Sequence, residues 1–198
     1  MAIKKRKTAV KKAAPKRLKV PATKKRKAPV MDHDAMMAAW LKAASPAEGH
    51  RRLEPLVGAF RSKTTFVMEP GGPPQVSDGS SENRWVLGGR YLEQLYKGTS
   101  MGMPFEGIGY TGFDNVQRKY VGCWMDCFGT GLMNSVGVGK PTSKLMEFEA
   151  TAFEPSGKLR KFWCKVKVRD RDRNSYEIWA KAPSGEKFRM MLCEYTRA

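Results

Sequence analysis

The chain has 198 residues, 41% hydrophobic and 10% aromatic, enough to bury one substantial core and too apolar to be disordered throughout. No run approaches the roughly 20 apolar residues that span a bilayer, and the start lacks the apolar stretch of a secretory signal, so a soluble, cytoplasmic protein is expected. Formal net charge is +18, from 37 basic and 19 acidic residues, yet residues 1–30 hold 13 of the basic ones and no acid, leaving 24 against 19 elsewhere.

Residues 1–30, "MAIKKRKTAVKKAAPKRLKVPATKKRKAPV", repeat a Lys/Ala/Pro vocabulary, interrupted at Pro15, Pro21 and Pro29 and without an aromatic anchor. A disordered tail is expected. Its cations are Lys4, Lys5, Arg6, Lys7, Lys11, Lys12, Lys16, Arg17, Lys19, Lys24, Lys25, Arg26 and Lys27. Thirteen positive charges on a segment reaching about 100 Å when extended suit DNA or RNA, held through phosphates without reading sequence. A nucleoid-associated location would follow. A solubilising extension, an anionic membrane contact and a nuclear-import signal in "KKRK" are the other readings.

Residues 31–57 read as a helical lead-in. "DHDAMMAAWLKAA" places Met36, Met37, Trp40 and Leu41 on one helical face behind an Asp32 or Asp34 cap. "SPAE" predicts a second start, with Ser45 as N-cap, Pro46 at the first helical position and Glu48 closing a capping box.

From residue 58 to 198 turn signals recur about every 10 to 14 residues, and the segments between them read as strands. In "KFWCKVKVRD", Phe162, Cys164, Val166 and Val168 alternate with Lys161, Trp163, Lys165 and Lys167: one face is apolar and the other mostly charged. Nine or ten such strands predict a mainly β fold, an antiparallel up-and-down barrel of the lipocalin or calycin kind, because closure removes exposed edges.

"FEGIGYTGFD" contains Gly107, Gly109 and Gly112 in the spacing of a dinucleotide-binding turn. That motif needs a helix beginning inside it to meet the pyrophosphate, whereas the following "FDNVQRKYVGCW" is a turn and a strand. The glycines are therefore expected at bends or tight points of a curved sheet. "GVGKPTS" fails as a phosphate loop, having Asn134 and Pro141 where glycine and Ser or Thr are required. Cys123, Cys127, Cys164 and Cys193 are expected as reduced thiols in or near the core. No catalytic residue, cofactor or metal site is assigned, since both histidines, His33 and His50, lie in the lead-in and no acid pair is recognisable.

"WVLGGRYLEQLYKG", "PFEGIGYTGFDNVQRKYVGCWMDCFGTG" and "SGEKFRMMLCEYTRA" carry Gly89-Arg90, Gly112-Phe113-Asp114, Trp124-Met125-Asp126 and Tyr195-Thr196-Arg197 in order. This set resembles the bacterial family termed domain of unknown function 1579, over about residues 47–198. Phe113 stands where tyrosine is common. The resemblance implies a lipocalin-like barrel and supplies no activity.

Alternation puts Arg90, Leu92, Gln94 and Tyr96 on one strand face, and Tyr120, Trp124, Asp126 and Phe128 on another. If both point inward, Arg90, Gln94, Tyr96, Trp124 and Asp126 form an aromatic-lined cavity for a small, partly apolar ligand. The structural alternative is a buried Arg90–Asp126 ion pair closing one barrel end, with Tyr195 or Arg197 beside it. The expected function is a non-enzymatic binding module with a nucleic-acid-binding tail; an enzyme using Asp126 and Arg90, or a filled barrel serving as a platform, are the alternatives.

Overall fold

The computed structural model describes residues 32–142 and 144–198; the basic segment 1–30 lies outside the described residues. Ten strands follow the lead-in: β1 (Gly58–Phe66), β2 (Gln75–Val86), β3 (Tyr91–Ser100), β4 (Met103–Asp114), β5 (Lys119–Asp126), β6 (Met133–Val138), β7 (Leu145–Phe153), β8 (Leu159–Val168), β9 (Arg173–Lys181) and β10 (Lys187–Arg197). Each pairs antiparallel with its sequence neighbours, and β1 pairs with β10 to close the barrel. The fold is a ten-stranded up-and-down barrel, as the strand periodicity predicts.

Antiparallel partners share a face, so the register assembles rings of inward residues. Phe60, Ser81, Tyr96, Gly107 and Asp126 form one ring; Asn83, Gln94, Gly109, Trp124 and Met133 belong to the next. On β8, Cys164 and Val168 are buried while Lys161 and Lys167 are exposed, the alternation read from the sequence.

The lead-in closes one end. Helix α1 (His33–Ala44) is capped by Asp32, whose side chain accepts from the Asp34 N–H at 3.1 Å, and buries none of its residues. It is tethered at its end by Asn115 Nδ2, which donates to the Ala43 and Ser45 carbonyls at 2.9 and 2.7 Å. The expected second cap differs in detail. The Ser45 hydroxyl turns back to donate to the Leu41 carbonyl at 2.7 Å, so α2 (Glu48–Arg51) starts at Ala47, whose N–H donates to His50 Nδ1 at 3.0 Å. Burial holds the His50 imidazole below its usual basicity, which keeps that acceptor neutral. A 3₁₀ turn, Glu54–Leu56, then brings Leu53 and Leu56 onto the core of Tyr120, Met146, Phe148 and Cys164. The Tyr120 hydroxyl donates to the Gly49 carbonyl at 2.9 Å.

Arg197 bolts this closed end. It donates from Nη1 to the Val57 carbonyl at 2.9 Å and from Nη2 to the carbonyls of Pro55 and Arg171 at 3.2 and 2.7 Å, while its guanidinium carbon stands 4.6 Å from the Phe60 ring centre. A rigid planar fork holds three carbonyls from two segments, 55–57 and Arg171, in one fixed geometry, which an ammonium on a flexible stem does not reproduce. All four cysteines are free thiols, with Cys164 and Cys193 buried and Cys127 exposed. Burial pushes the Cys164 thiol up to about 11, so it stays protonated at neutral pH.

Replacing Arg197 by lysine is expected to lower unfolding stability by about 1–3 kcal/mol, because charge-assisted hydrogen bonds to the part-buried Pro55 and Val57 carbonyls are lost. Urea denaturation followed by tryptophan fluorescence reads this directly; an unchanged midpoint would remove Arg197 as the bolt.

Candidate functional site

The opposite end of the barrel is formed by the β1–β2, β3–β4, β5–β6, β7–β8 and β9–β10 connections. Beneath it sits a second cluster of Phe60, Tyr96, Cys193 and Tyr195, packed with Phe105, Trp124, Tyr176 and Met191. Unlike the closed-end core, this layer is polar as well as aromatic. The Ser62 hydroxyl donates to the Tyr96 hydroxyl at 3.1 Å, the Thr64 hydroxyl donates to Cys193 Sγ at 3.2 Å, and Gln94 Nε2 donates to the Tyr195 hydroxyl at 3.3 Å. Burial raises the Tyr195 phenol well above its usual value, so it remains a neutral donor and acceptor. Among the described residues Ser81 Oγ in this layer, and Asn83 Oδ1 nearer the closed end, where its Nδ2 donates to the Leu56 carbonyl at 2.7 Å, are buried without a hydrogen-bond partner, a cost of about 1–3 kcal/mol each when nothing satisfies them.

Trp124 is the central side chain of this layer, and it explains the glycines of β4. A Cβ on Gly107 would overlap its six-membered ring, and one on Gly109 would come within 2.9 Å of Cε3. The indole therefore lies flat on the β4 backbone, a close approach only glycine permits. Its Nε1 donates to Asp126 Oδ2 at 2.9 Å, while Asp126 Oδ1 accepts from the Phe128 N–H at 3.0 Å. Both carboxylate oxygens are thus oriented and each retains a free lone pair. Ring contacts continue outward from Trp124 to Tyr96 (6.5 Å between centres), then Phe105 (5.9 Å) and Phe128 (5.2 Å), all edge to face.

Trp124 and Asp126 open into a cleft of about 190 Å³ at the barrel mouth, lined also by Phe128, Gly129, Gly131, Met133 and Phe153. Large apolar side chains stand at the mouth among exposed polar ones such as Glu69, Lys158 and Glu186. Exposed Met68, Met101, Phe128 and Leu132 come from three of its five connections, and exposed Phe153 ends β7 beside them.

Of the five residues expected together, Gln94, Tyr96, Trp124 and Asp126 share the interior face at this end. Arg90 does not. It precedes β3 in a turn where Leu87, Gly88 and Gly89 all take positive φ, and its guanidinium donates outward to the Leu87 carbonyl at 2.9 Å. Strand alternation therefore does not extend to it, and it stands at the closed end, opposite Asp126. An Arg90–Asp126 ion pair is not formed, and a substrate gripped by both lacks a geometry. Sequence reasoning also missed Ser62, Thr64 and Ser81, polar positions on strands whose inward face is set only by the register. Among the described residues no cluster of His, Cys, Asp and Glu is arranged to hold a metal, and no helix is long and apolar enough to cross a membrane.

The family profile described as "Protein of unknown function (DUF1579)" matches residues 45–197, and the chain belongs to that family. No curated protein matches it. Among solved structures, the crystal structure of Rv2717c from M. tuberculosis is similar over 78% of this chain and 99% of its own, at 18% identity and a TM-score of 0.58; the two share a fold. The structure of EF1p2_mFAP2b bound to DFHBI is a looser likeness, with 14% identity, 76% and 100% coverage and a TM-score of 0.43.

Gly107→Ala is expected to destabilise the barrel by about 1–3 kcal/mol through overpacking against Trp124. In a Trp124→Ala background most of that penalty should vanish, since the two sites are in contact. Equal penalties in both backgrounds, read from urea midpoints, would show that the glycine serves something other than the indole.

Proposed function

We propose that this member of the family is a non-enzymatic binding module whose barrel mouth takes a small, partly apolar molecule. The observation that carries the reading is the cleft joining Trp124, Phe128 and Phe153 to the Asp126 carboxylate. Apolar walls with one oriented polar group suit a ligand with an apolar body and a single polar end. The site is small beside the roughly 300–1,000 Å³ typical of ligand pockets, so it receives one end of the molecule, and the exposed Met68, Met101 and Leu132 cover the remainder.

The chemistry selects the polar end. Trp124 spends its N–H on Asp126, leaving the carboxylate as an acceptor, so the ligand donates there as an ammonium or hydroxyl group. A carboxylate ligand would place like charge beside Asp126. The closed-end half is filled by Leu53, Tyr120, Met146 and Cys164, each at most 2% exposed, which favours the platform reading for that half alone.

Residues 1–30 are proposed as the nucleic-acid anchor, binding DNA or RNA through phosphates without sequence preference. If about 6–10 phosphates are engaged, affinity for duplex DNA falls about 10³- to 10⁵-fold between 50 and 200 mM salt.

Titration with a medium-chain primary amine, alcohol and carboxylate, followed by tryptophan fluorescence, tests the mouth. Saturable quenching is expected for the amine and alcohol, with Asp126→Asn weakening the amine about tenfold. A carboxylate binding as tightly as the amine, or no binding by any of the three, would discard the ligand assignment. For the tail, deletion of residues 2–30 should abolish retention on immobilised duplex DNA; equal retention would rule it out as the anchor.

A further inference from the structure

The outer wall of β8–β10 carries a patch that neither the mouth nor the tail uses. The register sets Trp163 of β8 beside Trp179 of β9, and Trp179 beside Arg189 of β10. Two residues along each strand toward the mouth lie Lys161, Lys181 and Lys187, with Lys181 and Lys187 directly paired. An aromatic row thus adjoins a cationic row on one outer face, at a strand spacing of about 4.8 Å.

Three of the four cations are not neutralised in place, while Arg189 also feels the Glu177 carboxylate on the same face. Farther along the same face Lys165 pairs with Glu147 at 2.8 Å and Lys167 with Glu177 at 2.6 Å. Among the described residues Lys161, Lys181, Lys187 and Arg189 form no ion pair. Lys187 Nζ instead stands 4.5 Å, and Lys181 Nζ 5.9 Å, from the centre of a Trp163 ring. Beside Trp163, a cleft of about 240 Å³ is lined by Asn134, Glu149, Thr151 and Lys161. It combines an aromatic wall with an amide, a carboxylate and a hydroxyl that can meet the hydrogen-bonding edge of a ring.

We propose that this outer face binds single-stranded nucleic acid, with bases stacking on Trp163 and Trp179 and phosphates held by Lys161, Lys181, Lys187 and Arg189. Sheet surfaces with aromatic platforms beside cations bind single strands because every base offers a π-face once it is unstacked. In the free protein the lysines cover the Trp163 ring through cation–π contact; an arriving base takes that place, and the ammonium groups on their flexible stems move out to the backbone. A duplex keeps its bases stacked and cannot use the tryptophans. The face therefore discriminates single strands, which the tail, lacking aromatic residues, does not.

The test uses the full-length chain and a fluorescein-labelled oligothymidine of about 12 nucleotides, within the span of one such platform, against a duplex of the same length. Wild type is expected to prefer the single strand, and ultraviolet cross-linking should map to the peptides carrying Trp163 and Trp179. Trp163→Leu should weaken single-strand binding about fivefold or more while leaving duplex binding unchanged. Lys181→Glu with Lys187→Glu, both on the surface and free of fold contacts that matter to closure, should do the same in a chain of unaltered thermal midpoint. Cross-links confined to residues 1–30, equal affinity for single strand and duplex, or an undiminished Lys181→Glu/Lys187→Glu variant would each overturn the assignment.

Discussion

Pairing of β1 with β10 is the constraint from which the rest follows. Through it the registers of ten strands become rings, and each ring has one inside and one outside. The inside has limited room, so its occupants must be matched to one another. Trp124 is accommodated because β4 supplies Gly107 and Gly109 beneath it, and Tyr96 is accommodated because Gly79 stands opposite its hydroxyl. Large and absent side chains alternate around the wall, which is how a small barrel fills without strain.

The family signature takes on physical content in this frame. Gly89-Arg90 marks a left-handed turn. At Gly112 a Cβ would crowd the Tyr91 ring, and Phe113 packs edge to face on Tyr120 at 5.1 Å. The Asp114 carboxylate accepts from the Val116 and Gln117 N–H groups at 2.8 and 3.0 Å, closing the β4–β5 turn, and these bonds hold it below the usual carboxylate range. Tyr195 and Arg197 tie β10 to the interior and to the closed end. Most of the signature therefore serves the barrel itself, and Trp124 with Asp126 is the part that also reaches an opening.

Much of this was legible in the sequence, for reasons that are local. Period-two alternation on β8 identified its inward face, and the absence of a helix after Gly112 removed the nucleotide-binding reading. Alternation also put Gln94, Tyr96, Trp124 and Asp126 on inward faces. It failed at Arg90 because a strand's first residue depends on the turn before it, and three consecutive positive φ angles from Leu87 to Gly89 moved that start to Tyr91. The capping-box reading failed at Ser45 because a hydroxyl can cap the helix ahead or bond back to the one behind, and the backward bond won. The Trp163–Trp179 pair was beyond reach for a different reason. A tryptophan on the charged face of β8 was visible as an oddity, but its neighbour is fixed by cross-strand register, which no single strand's pattern contains.

The same up-and-down order has a consequence for synthesis. Nine of the ten strand pairings join neighbours in the chain and can form as each hairpin emerges. The tenth cannot: β1 waits, with an open edge, until β10 has been made, and the last strand formed shows an open edge throughout. A growing chain is thus a curved, unclosed sheet for nearly the whole of its translation, and a slow ribosome would prolong the interval in which two such edges on neighbouring chains can pair with each other.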